Sequence, residues 1–326
     1  MTKTASLLAV LAAACAMHGT AVETASAQTY PTRPVTLVVP FPAGGGNDAL
    51  ARLVAERMSK TLGQQVVVEN RGGAGGTVAT RAIAKAPPDG HTILLSYTGT
   101  FAINPTLYPN AGYDPRKDFV AIGTIGTLTS VLVSHPSLPV KSIADLIAYA
   151  KKNPGKINYG FVPGTVGHIS TEMFARSASI KLTNIPYKGN GNAIADLMGG
   201  HVSMMFISIL PVMGQIRAGT LNALAVASPA RSSLIPNVPT IAESGVAGFS
   251  AVITYGLAAP AGTPRPIVER LNKELQVALA EPGLRKRLDS EGGQVLPGTP
   301  QDYADTIDRE EKKWGPLVRS LSLKVN

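Results

Sequence analysis

Residues 37–52 read LVVPFPAGGGNDALAR, which predicts a strand, a turn and the start of a helix. The apolar run before Pro40 is typical of a short buried strand. Three consecutive glycines, Gly44 to Gly46, let the turn backbone approach another group with no Cβ in the way. Asn47 and Asp48 are good N-cap residues, so we predict a helix whose free N–H groups point out of the turn. Such a helix start can receive an anion, although the same turn can be purely structural.

The strand–turn–helix pattern recurs along the chain in two series. Its predicted turns are 42–47, 71–77 and 98–100 in the first series, and 163–168 and 187–192 in the second. Alternating strands and helices at this spacing predict parallel sheets covered by helices on both faces. After the second series the chain is mostly helical, with three helices between Pro264 and Leu321.

Two strand-like segments, 122–134 and 252–258, connect the two series. Two connections predict two α/β lobes, with the second lobe inserted into the first. We expect residues 28–124 and 257–326 to form lobe one, which includes the C-terminal helices, and residues 125–256 to form lobe two. The hinges are expected near Gly123–Gly126 and Tyr255–Ala259.

Residues 1–27 have the features of a secretory signal peptide. Lys3 supplies a positive start, an apolar run follows, and Ala25-Ser26-Ala27 is a small-residue cleavage signature. We expect cleavage near Ala27 and export to the periplasm. The single cysteine, Cys15, lies within this segment, so the mature chain has no disulfide. The alternative is that Cys15 is lipidated and becomes the first residue.

Charge and residue pattern exclude several classes of function. The formal net charge is +9, but the basic residues are spread along the chain and are not interleaved with aromatic residues. Nucleic acid binding is therefore not expected. The histidines show no metal-ligand spacing, and no Gly-x-Ser-x-Gly elbow occurs. We expect no metal and no cofactor.

The predicted turns carry the groups that an acidic ligand needs. In open α/β sheets, ligands bind beyond the carboxyl ends of the strands. If the two lobes face each other, helix starts converge on a cleft from both sides. A carboxylate buried there must be well hydrogen-bonded, and the turns offer hydroxyl and amide groups. These groups belong to Thr98, Thr100, Thr165, Asn47, Asn190 and Asn192.

One pattern favours a different class, a dinucleotide-binding enzyme. Residues 44–49 match G-x-G-x-x-A, and Glu69 follows the next strand at about the distance expected for a ribose partner. Export away from nucleotide cofactors and the prolines Pro40 and Pro42 argue against it. Asp48 could act as a general base, but capping its own helix is the simpler interpretation. His168 and Tyr187 could line a cleft or pack within the fold.

The resemblance to a known family depends on several motifs that occur in the same order. They are Tyr30-Pro31-x-Arg33-Pro34, Pro40-Phe41-Pro42-Ala43-Gly44-Gly45, Val68-Glu69-Asn70-Arg71-x-Gly73-Ala74-Gly75-Gly76, Ala86-Pro87-Pro88-Asp89-Gly90, Pro186-Tyr187-Lys188-Gly189, Pro239-Thr240-x-x-Glu243-x-Gly245 and Ala259-Pro260-Ala261-Gly262-Thr263-Pro264. The chain resembles the Bug family, the extracytoplasmic solute-binding receptors of tripartite tricarboxylate transporters. The resemblance covers essentially the whole mature chain.

The resemblance implies an α/β, two-lobed periplasmic binding protein (Venus flytrap) with two hinge-crossing segments, which closes on a carboxylate. It implies that the first turn contacts the ligand carboxylate, partly through ordered waters, and that a turn of the second lobe opposes it. The expected ligand-binding residues are Phe41, Ala43, Gly44, Gly45, Asn47, Asp48, Gly76, Thr98, Thr100, Gly164, Thr165, His168, Tyr187, Asn190 and Ser208. The segment Val202–Ser208 lacks the two acidic residues that family members often have there, so the ligand of a relative cannot be assumed.

The function that the resemblance implies is capture of a small organic carboxylate without catalysis. The ligand would be a dicarboxylate or tricarboxylate, an acidic amino acid or an aromatic carboxylate, delivered to inner-membrane transporter subunits. We expect a monomer. The alternative is an exported enzyme that acts on a small carboxylate or a nucleotide-type ligand in the same cleft.

Overall fold

The structure is a computed structural model that describes residues 30–44, 46–108, 110–290 and 292–321. The predicted signal peptide at 1–27, with Cys15 and the cleavage site near Ala27, lies outside the described residues. So does Gly45, one of the expected ligand-binding residues.

A six-stranded sheet forms the centre of what we call the first lobe. Its strand order is β11-β4-β10-β3-β1-β2. The strands are β1 (Val35–Val39), β2 (Val66–Asn70), β3 (Thr92–Tyr97), β4 (Phe119–Leu128), β10 (Ile253–Pro260) and β11 (Gly293–Val295). The short apolar strand predicted before Pro40 is β1, and Val35, Leu37, Val38 and Val39 are fully buried in it.

A five-stranded sheet forms the centre of the second lobe. Its strand order is β7-β6-β8-β5-β9. The strands are β5 (Ser130–Ser134), β6 (Asn158–Phe161), β7 (Thr183–Pro186), β8 (Met204–Ser208) and β9 (Asn222–Val226). A separate apolar cluster, which includes Val131, Leu197 and Met205, lies within this lobe.

The helices follow the strands as the alternating pattern predicts. In the first lobe they are α1 (Gly46–Leu62), α2 (Thr77–Ile83), α3 (Asn104–Leu107), α8 (Arg265–Ala280), α9 (Pro282–Ser290) and α10 (Pro300–Leu321). In the second lobe they are α4 (Ile143–Lys152), α5 (Val166–Ser177), α6 (Asn190–Met198) and α7 (Met213–Arg217). The C-terminal helices α8 and α10 pack against β4. None of the described helices is long and apolar enough to cross a membrane.

Both sheets are mixed, so the expectation of parallel sheets was only partly right. Strand β1 runs parallel to β2 and β3, but β10 runs antiparallel to β3 and β4. In the second sheet β6 is parallel to β7 and β8, while β5 is antiparallel to β8 and β9. Strands β5 and β10 run opposite to the parallel strands of their sheets, and both enter directly from the other lobe, where no crossover helix returns the chain. Strand β11, at the edge of the first sheet, is also antiparallel to its neighbour β4.

In this arrangement the two lobes meet at the same ends of their parallel strands. We call the place where the lobes meet the joint. Strands β1 to β4 share one direction, and β4 leads through Thr129 into β5. Because β5 is antiparallel to β8, its start at Ser130 pairs with the carboxyl end of β8 at Ser208. The carboxyl ends of the parallel strands in both lobes therefore lie at the joint, which is where ligands bind in open α/β sheets.

The chain passes between the sheets at two places. The first is Thr129, and the second is the segment between Val226 and Ile253. The expected lobe boundaries at 124/125 and 256/257 fall inside β4 and β10, which pair with each other from Phe119 to Leu128. The assignment of residues to lobes at those boundaries stays a prediction.

Candidate functional site

The first turn joins β1 to α1 and is closed by a carboxylate. The N-cap prediction places Asn47 and Asp48 just before the helix. Helix α1 instead begins at Gly46, so both residues lie within its first turn. The Asp48 side chain reaches back and accepts a hydrogen bond from the backbone N–H of Gly44 at 2.9 Å. Gly44 has a φ of +86°, a conformation that glycine adopts without strain. Ala43 and Gly44 are exposed.

Asp48 carries a negative charge within this turn, and Arg52 offsets it. Only 6% of Asp48 is exposed, and its carboxylate lies 3.0 Å from the Arg52 guanidinium one helical turn away. Burial acts to raise the pKa of the Asp48 carboxyl, but hydrogen bonds from Arg52 and from the Gly44 N–H outweigh it, and the pKa falls below its usual value. Asp48 is therefore ionised at neutral pH and holds the turn in shape.

Aromatic rings form a wall beside the first turn. Phe41 contacts the ring of Tyr97 edge-on, with 5.1 Å between ring centroids, and Tyr97 stacks on Tyr255 at 6.0 Å. The Tyr255 hydroxyl donates to Oδ1 of Asn47 at 2.5 Å. Tyr97 donates to the carbonyl of Gly75 at 3.2 Å. This wall connects the first turn to β3, to β10 and to the turn at residues 71–77, which we call the second glycine-rich turn.

Thr98 and Thr100, predicted to offer hydroxyls to a ligand, use those hydroxyls within the first lobe. Oγ1 of Thr98 accepts from the Thr254 N–H at 2.9 Å and donates to Glu310 at 3.4 Å. Thr100 is fully buried, and its hydroxyl donates to the carbonyl of Tyr97 at 3.1 Å. Neither hydroxyl is free to meet a ligand unless these bonds break.

Gly76 lets the second glycine-rich turn pack closely against the first turn. Its φ is +93°, and a Cβ at this position would lie 2.8 Å from Thr100 Cγ2 and 3.0 Å from Pro40 Cβ. The first turn and the second glycine-rich turn are therefore in direct contact through this glycine. Asn70 adds a hydrogen bond from its amide to the carbonyl of Phe41 at 3.2 Å.

The facing turn of the second lobe joins β6 to α5. Thr165 is the N-cap of α5, and its hydroxyl donates to the carbonyl of Val162 at 2.8 Å while accepting from the N–H of His168 at 3.4 Å. His168 is 2% exposed and stacks on Phe161, with 4.2 Å between ring centroids. Burial lowers the pKa of His168 to about 4, so the imidazole is neutral at pH 7.

The turns of the two lobes touch each other through glycines. A Cβ on Gly75 would lie 2.7 Å from the carbonyl oxygen of Pro163, and a Cβ on Gly164 would lie 2.7 Å from Oδ1 of Asn104. Asn104 is fully buried, and its Nδ2 donates to the carbonyl of Gly75 at 2.9 Å and to Thr77 at 3.1 Å. The lobes are therefore closed on one another at this edge of the joint.

The second lobe also contains Tyr187, Asn190 and Ser208, which differ in exposure and in their contacts. Tyr187 donates to Asp196 at 2.6 Å, and burial together with this carboxylate raises the pKa of Tyr187 to about 12. Asn190 is exposed at the start of α6. Ser208 is half-buried at the end of β8, opposite Ser130 at the crossing between lobes. The assignment of these three residues to ligand binding stays a prediction.

Two residues that shape the joint were missed from the sequence. Asn104 follows the apolar run Phe101–Ile103, and a polar residue there was a signal that something buried needs its amide. Tyr255 was assigned only to a hinge, because its strand neighbours cannot be known before the order of the sheet is. Within the described ranges, no group of three or more His, Cys, Asp or Glu residues could hold a metal ion.

Two α/β lobes joined by two crossings, with helix starts meeting at the joint, define the class of two-lobed solute-binding proteins. The sequence model described as the tripartite tricarboxylate transporter family receptor matches residues 50–323. The chain belongs to that receptor family, as the resemblance to Bug proteins predicted. Protein BugT of Bordetella pertussis is 37% identical over 321 residues, which are 98% of each chain.

Solved structures support the same assignment. The R. palustris protein solved with adipate is 37% identical, with a TM-score of 0.85, and the match covers 90% of this chain and 98% of that one. MatC from Rhodopseudomonas palustris, with bound malate, is 34% identical with a TM-score of 0.83, over 89% of this chain and 100% of that one. The two-lobed fold is thereby confirmed, and the protein is a solute-binding receptor and not an enzyme.

Proposed function

We propose that this chain captures a small dicarboxylate in the periplasm and closes its two lobes on it. The observation that carries the proposal is the meeting of the first turn, at the start of α1, and the facing turn, at the start of α5, across one joint. Each helix start directs N–H groups and the positive end of a helix dipole toward the joint. Two such ends suit a ligand with two acidic groups, and the ligands in the two similar structures, adipate and malate, are dicarboxylates.

Two arginines beside the glycine-rich turns of the first lobe already have carboxylate partners. Arg52 is paired with Asp48, and Arg71 lies 2.5 Å from Glu69. His168 in the facing turn is neutral because burial lowers its pKa. We infer that backbone N–H groups, amides and hydroxyls of the two turns compensate the ligand charge, because a carboxylate is stabilised when several such donors converge on it.

Lobe closure is the step that a membrane partner would read. We infer that the hinge lies at Thr129 and in the segment between Val226 and Ile253, because these are the places where the chain leaves one sheet and enters the other. A ligand that contacts both turns binds the closed state better than the open state and so shifts the population toward closure. The closed form of a monomer would then dock on inner-membrane transporter subunits.

The sequence of residues 1–27 supports the proposed location in the periplasm. The features of residues 1–27 are those of a signal peptide, and cleavage near Ala27 would release a mature chain beginning near Gln28. The proposed ligand contacts are the expected set without Thr98 and Thr100, and the residues of the first turn and the facing turn have the strongest structural support. Thr98 and Thr100 support the wall instead of contacting the ligand directly, because their hydroxyls are already used.

The experiment is a ligand screen on purified residues 28–326. Thermal unfolding is measured with malate, adipate, citrate, aspartate and benzoate, and with glucose and succinamide as neutral controls. A ligand present at 100 times its Kd stabilises the folded state by about 2.7 kcal/mol, which is a shift of several degrees in Tm. Titration calorimetry then gives the Kd of each hit. We expect a dicarboxylate to bind most tightly; stabilisation by a neutral compound alone would contradict the proposal.

A further inference from the structure

Ser130 and Ser134 are two buried serines at opposite ends of strand β5. Ser130 is 1% exposed and Ser134 is fully buried, and neither hydroxyl makes a hydrogen bond within the part of the chain that the structure describes. Burying a hydroxyl without a partner costs free energy, so each such group calls for a reason. The positions of the two serines in the sheet decide what each hydroxyl can do.

Ser130 lies at the joint, whereas Ser134 lies at the far end of the second sheet. Ser130 directly follows Thr129, where the chain first passes between the lobes. Its carbonyl accepts from the Ala227 N–H at 2.8 Å, and the Ala227 carbonyl accepts from the Ala251 N–H at 2.8 Å. The two passages between the lobes therefore run side by side at Ser130. Ser134 pairs with the first residue of β8, at the end of that strand away from the joint.

The Ser130 side chain is on the face of the second sheet that α5 covers. Residues opposite each other on adjacent strands direct their side chains to the same face, so Ser130 shares a face with Ser208. Phe206, two residues before Ser208 on β8, is on that face as well and contacts Phe174 of α5, with 6.2 Å between ring centroids. A Cβ on Gly167, in the first turn of α5, would lie 2.6 Å from the Phe206 carbonyl. The two serines therefore lie beside the start of α5, on the side of the joint.

A second buried polar atom without a partner lies at this helix start. It is Nδ1 of His168, a residue that is 2% exposed and whose ring stacks on Phe161 at the end of β6, the strand next to β8. The first turn of α5 also has backbone N–H groups that the helix leaves free. A helix start and hydroxyl donors together favour a carboxylate.

We propose that Ser130 is a ligand-binding residue whose hydroxyl donates to one carboxylate of the ligand, beside Ser208 and the start of α5. The hydroxyl then gains on binding the partner that it lacks in the protein alone. The inference rests on the proposed function and assigns this end of the ligand to the second lobe.

A pair of matched variants tests it. Ser130→Ala removes the hydroxyl at the joint. Ser134→Ala is the control, because it removes an equally buried hydroxyl without a partner from the same strand and the same face, away from the joint. Neither variant breaks a hydrogen bond of the protein, so neither should unfold at a lower urea concentration than the wild type.

The measurement is the Kd, by titration calorimetry, of malate, adipate and aspartate. For whichever of the three binds the wild type most tightly, we expect Ser130→Ala to raise the Kd by about 10- to 100-fold, as for the loss of a hydrogen bond to a charged group. Ser134→Ala should have the wild-type Kd. Urea unfolding without ligand accompanies both.

A thiol at the same position gives a second measurement. Residues 28–326 contain no cysteine, so Ser130→Cys and Ser134→Cys each introduce a single thiol. Methyl methanethiosulfonate modifies a thiol only when it is accessible. At a diacid concentration that saturates the variant, modification of Ser130→Cys should slow by at least about 10-fold, and that of Ser134→Cys should not change.

Several outcomes would overturn the inference while leaving the proposed function intact. They are a wild-type Kd in Ser130→Ala, an equal loss of affinity in Ser134→Ala, a clear loss of stability in Ser130→Ala alone, or modification of Ser130→Cys at the same rate with and without saturating diacid. A wild-type protein that binds none of the three diacids would remove the proposed function, and this inference with it.

Discussion

The first turn and the facing turn are built on the same plan but differ in charge and exposure. Each follows a strand and precedes a helix, and each is closed by a side chain that bonds the backbone of the turn. In the first turn the closing group is the carboxylate of Asp48, and Ala43 and Gly44 are exposed. In the facing turn it is the hydroxyl of Thr165, and His168 is 2% exposed and neutral.

The difference shows two ways to hold in shape a turn that we propose to receive an anion. The first turn already contains one negative charge, which Arg52 offsets, so its shape is fixed before any ligand arrives. The facing turn contributes no charge and is fixed by burial against Phe161. We expect the first turn to be sensitive to loss of an ion pair, and the facing turn to be sensitive to protonation and to added volume.

The largest expected effect is on the pH dependence of stability, through His168. Burial lowers the pKa of His168 to about 4 from a usual 6.5, so the unfolded chain takes up a proton that the folded chain does not. The folded state therefore loses stability as the pH falls from 6.5 toward 4, by on the order of 3 kcal/mol in all. Urea unfolding of wild type and His168→Gln at pH 7 and pH 4.5 measures this, and the variant should lose less between the two. An equal loss of stability in both proteins would show that the fold does not suppress protonation of His168.

Added volume at Gly164 should act on binding. An alanine Cβ there would lie 2.7 Å from Oδ1 of Asn104 and 3.0 Å from the Tyr108 hydroxyl, and Asn104 is held by its bonds to Gly75 and Thr77. Because this contact joins the two lobes, we expect Gly164→Ala to weaken binding of malate or adipate by about 30-fold.

The control for Gly164→Ala is Gly219→Ala. Gly219 has a similar φ of +70° in the same lobe, but no atom lies within 4 Å of its Cβ position. Both variants should lose about 1 kcal/mol of stability from the left-handed backbone. Only Gly164→Ala should lose affinity, and an equal affinity for the two variants would mean that the lobes do not close through this contact.

Loss of the Asp48 carboxylate should destabilise the first turn. Asp48→Ala removes the acceptor of the Gly44 N–H and the partner of Arg52. We expect a loss of about 2 kcal/mol in the free energy of unfolding at pH 7. Because the pKa of Asp48 is below its usual value, this contribution is present at neutral pH and is lost as the pH falls through the folded-state pKa. A difference between wild type and variant that persists at pH 2 would argue against an ionic contribution.

The smallest effect is expected for the cap of the facing turn. Thr165→Ala removes the hydroxyl that bonds Val162 and the N–H of His168, the second of these at a long 3.4 Å. The expected loss is about 1 kcal/mol, less than for Asp48→Ala. The same urea unfolding series compares the two, and a larger loss for Thr165→Ala would reverse the contrast between the turns.

The sequence predicted the local elements and the positions of the two turns well. The run before Pro40, the glycines and the helix that follows are local signals, and β1 and α1 appear where those signals place them. Ser142 is a further local signal, because serine favours the N-cap position, and it accepts from the N–H of Asp145 at the start of α4. Helix and strand propensity, helix capping and turn preferences depend on residues only a few positions apart. These signals can therefore be recognised in a single sequence before the fold is known.

Contacts between distant parts of the chain could not be predicted in the same way. The reversed direction of β10 follows from its entry from the second lobe, and the bond from Tyr255 to Asn47 depends on that pairing. Asn104 meets Gly164 only when the lobes are closed on each other. The hydroxyl of Thr98 was expected at the ligand, but α10 returns from the end of the chain and places Glu310 beside it.

The most direct test of closure on a dicarboxylate is a distance between the lobes measured with and without ligand. Residues 28–326 contain no cysteine, so two can be introduced cleanly, at Val78 beside the second glycine-rich turn and at Lys188 in the second lobe, both exposed. Spin labels at these positions report the distance by pulsed electron paramagnetic resonance. Adding malate or adipate at saturation should shift the distribution to shorter distances and narrow it, while succinamide should leave it unchanged. Tight binding of a dicarboxylate with no change in the distance distribution would contradict the account.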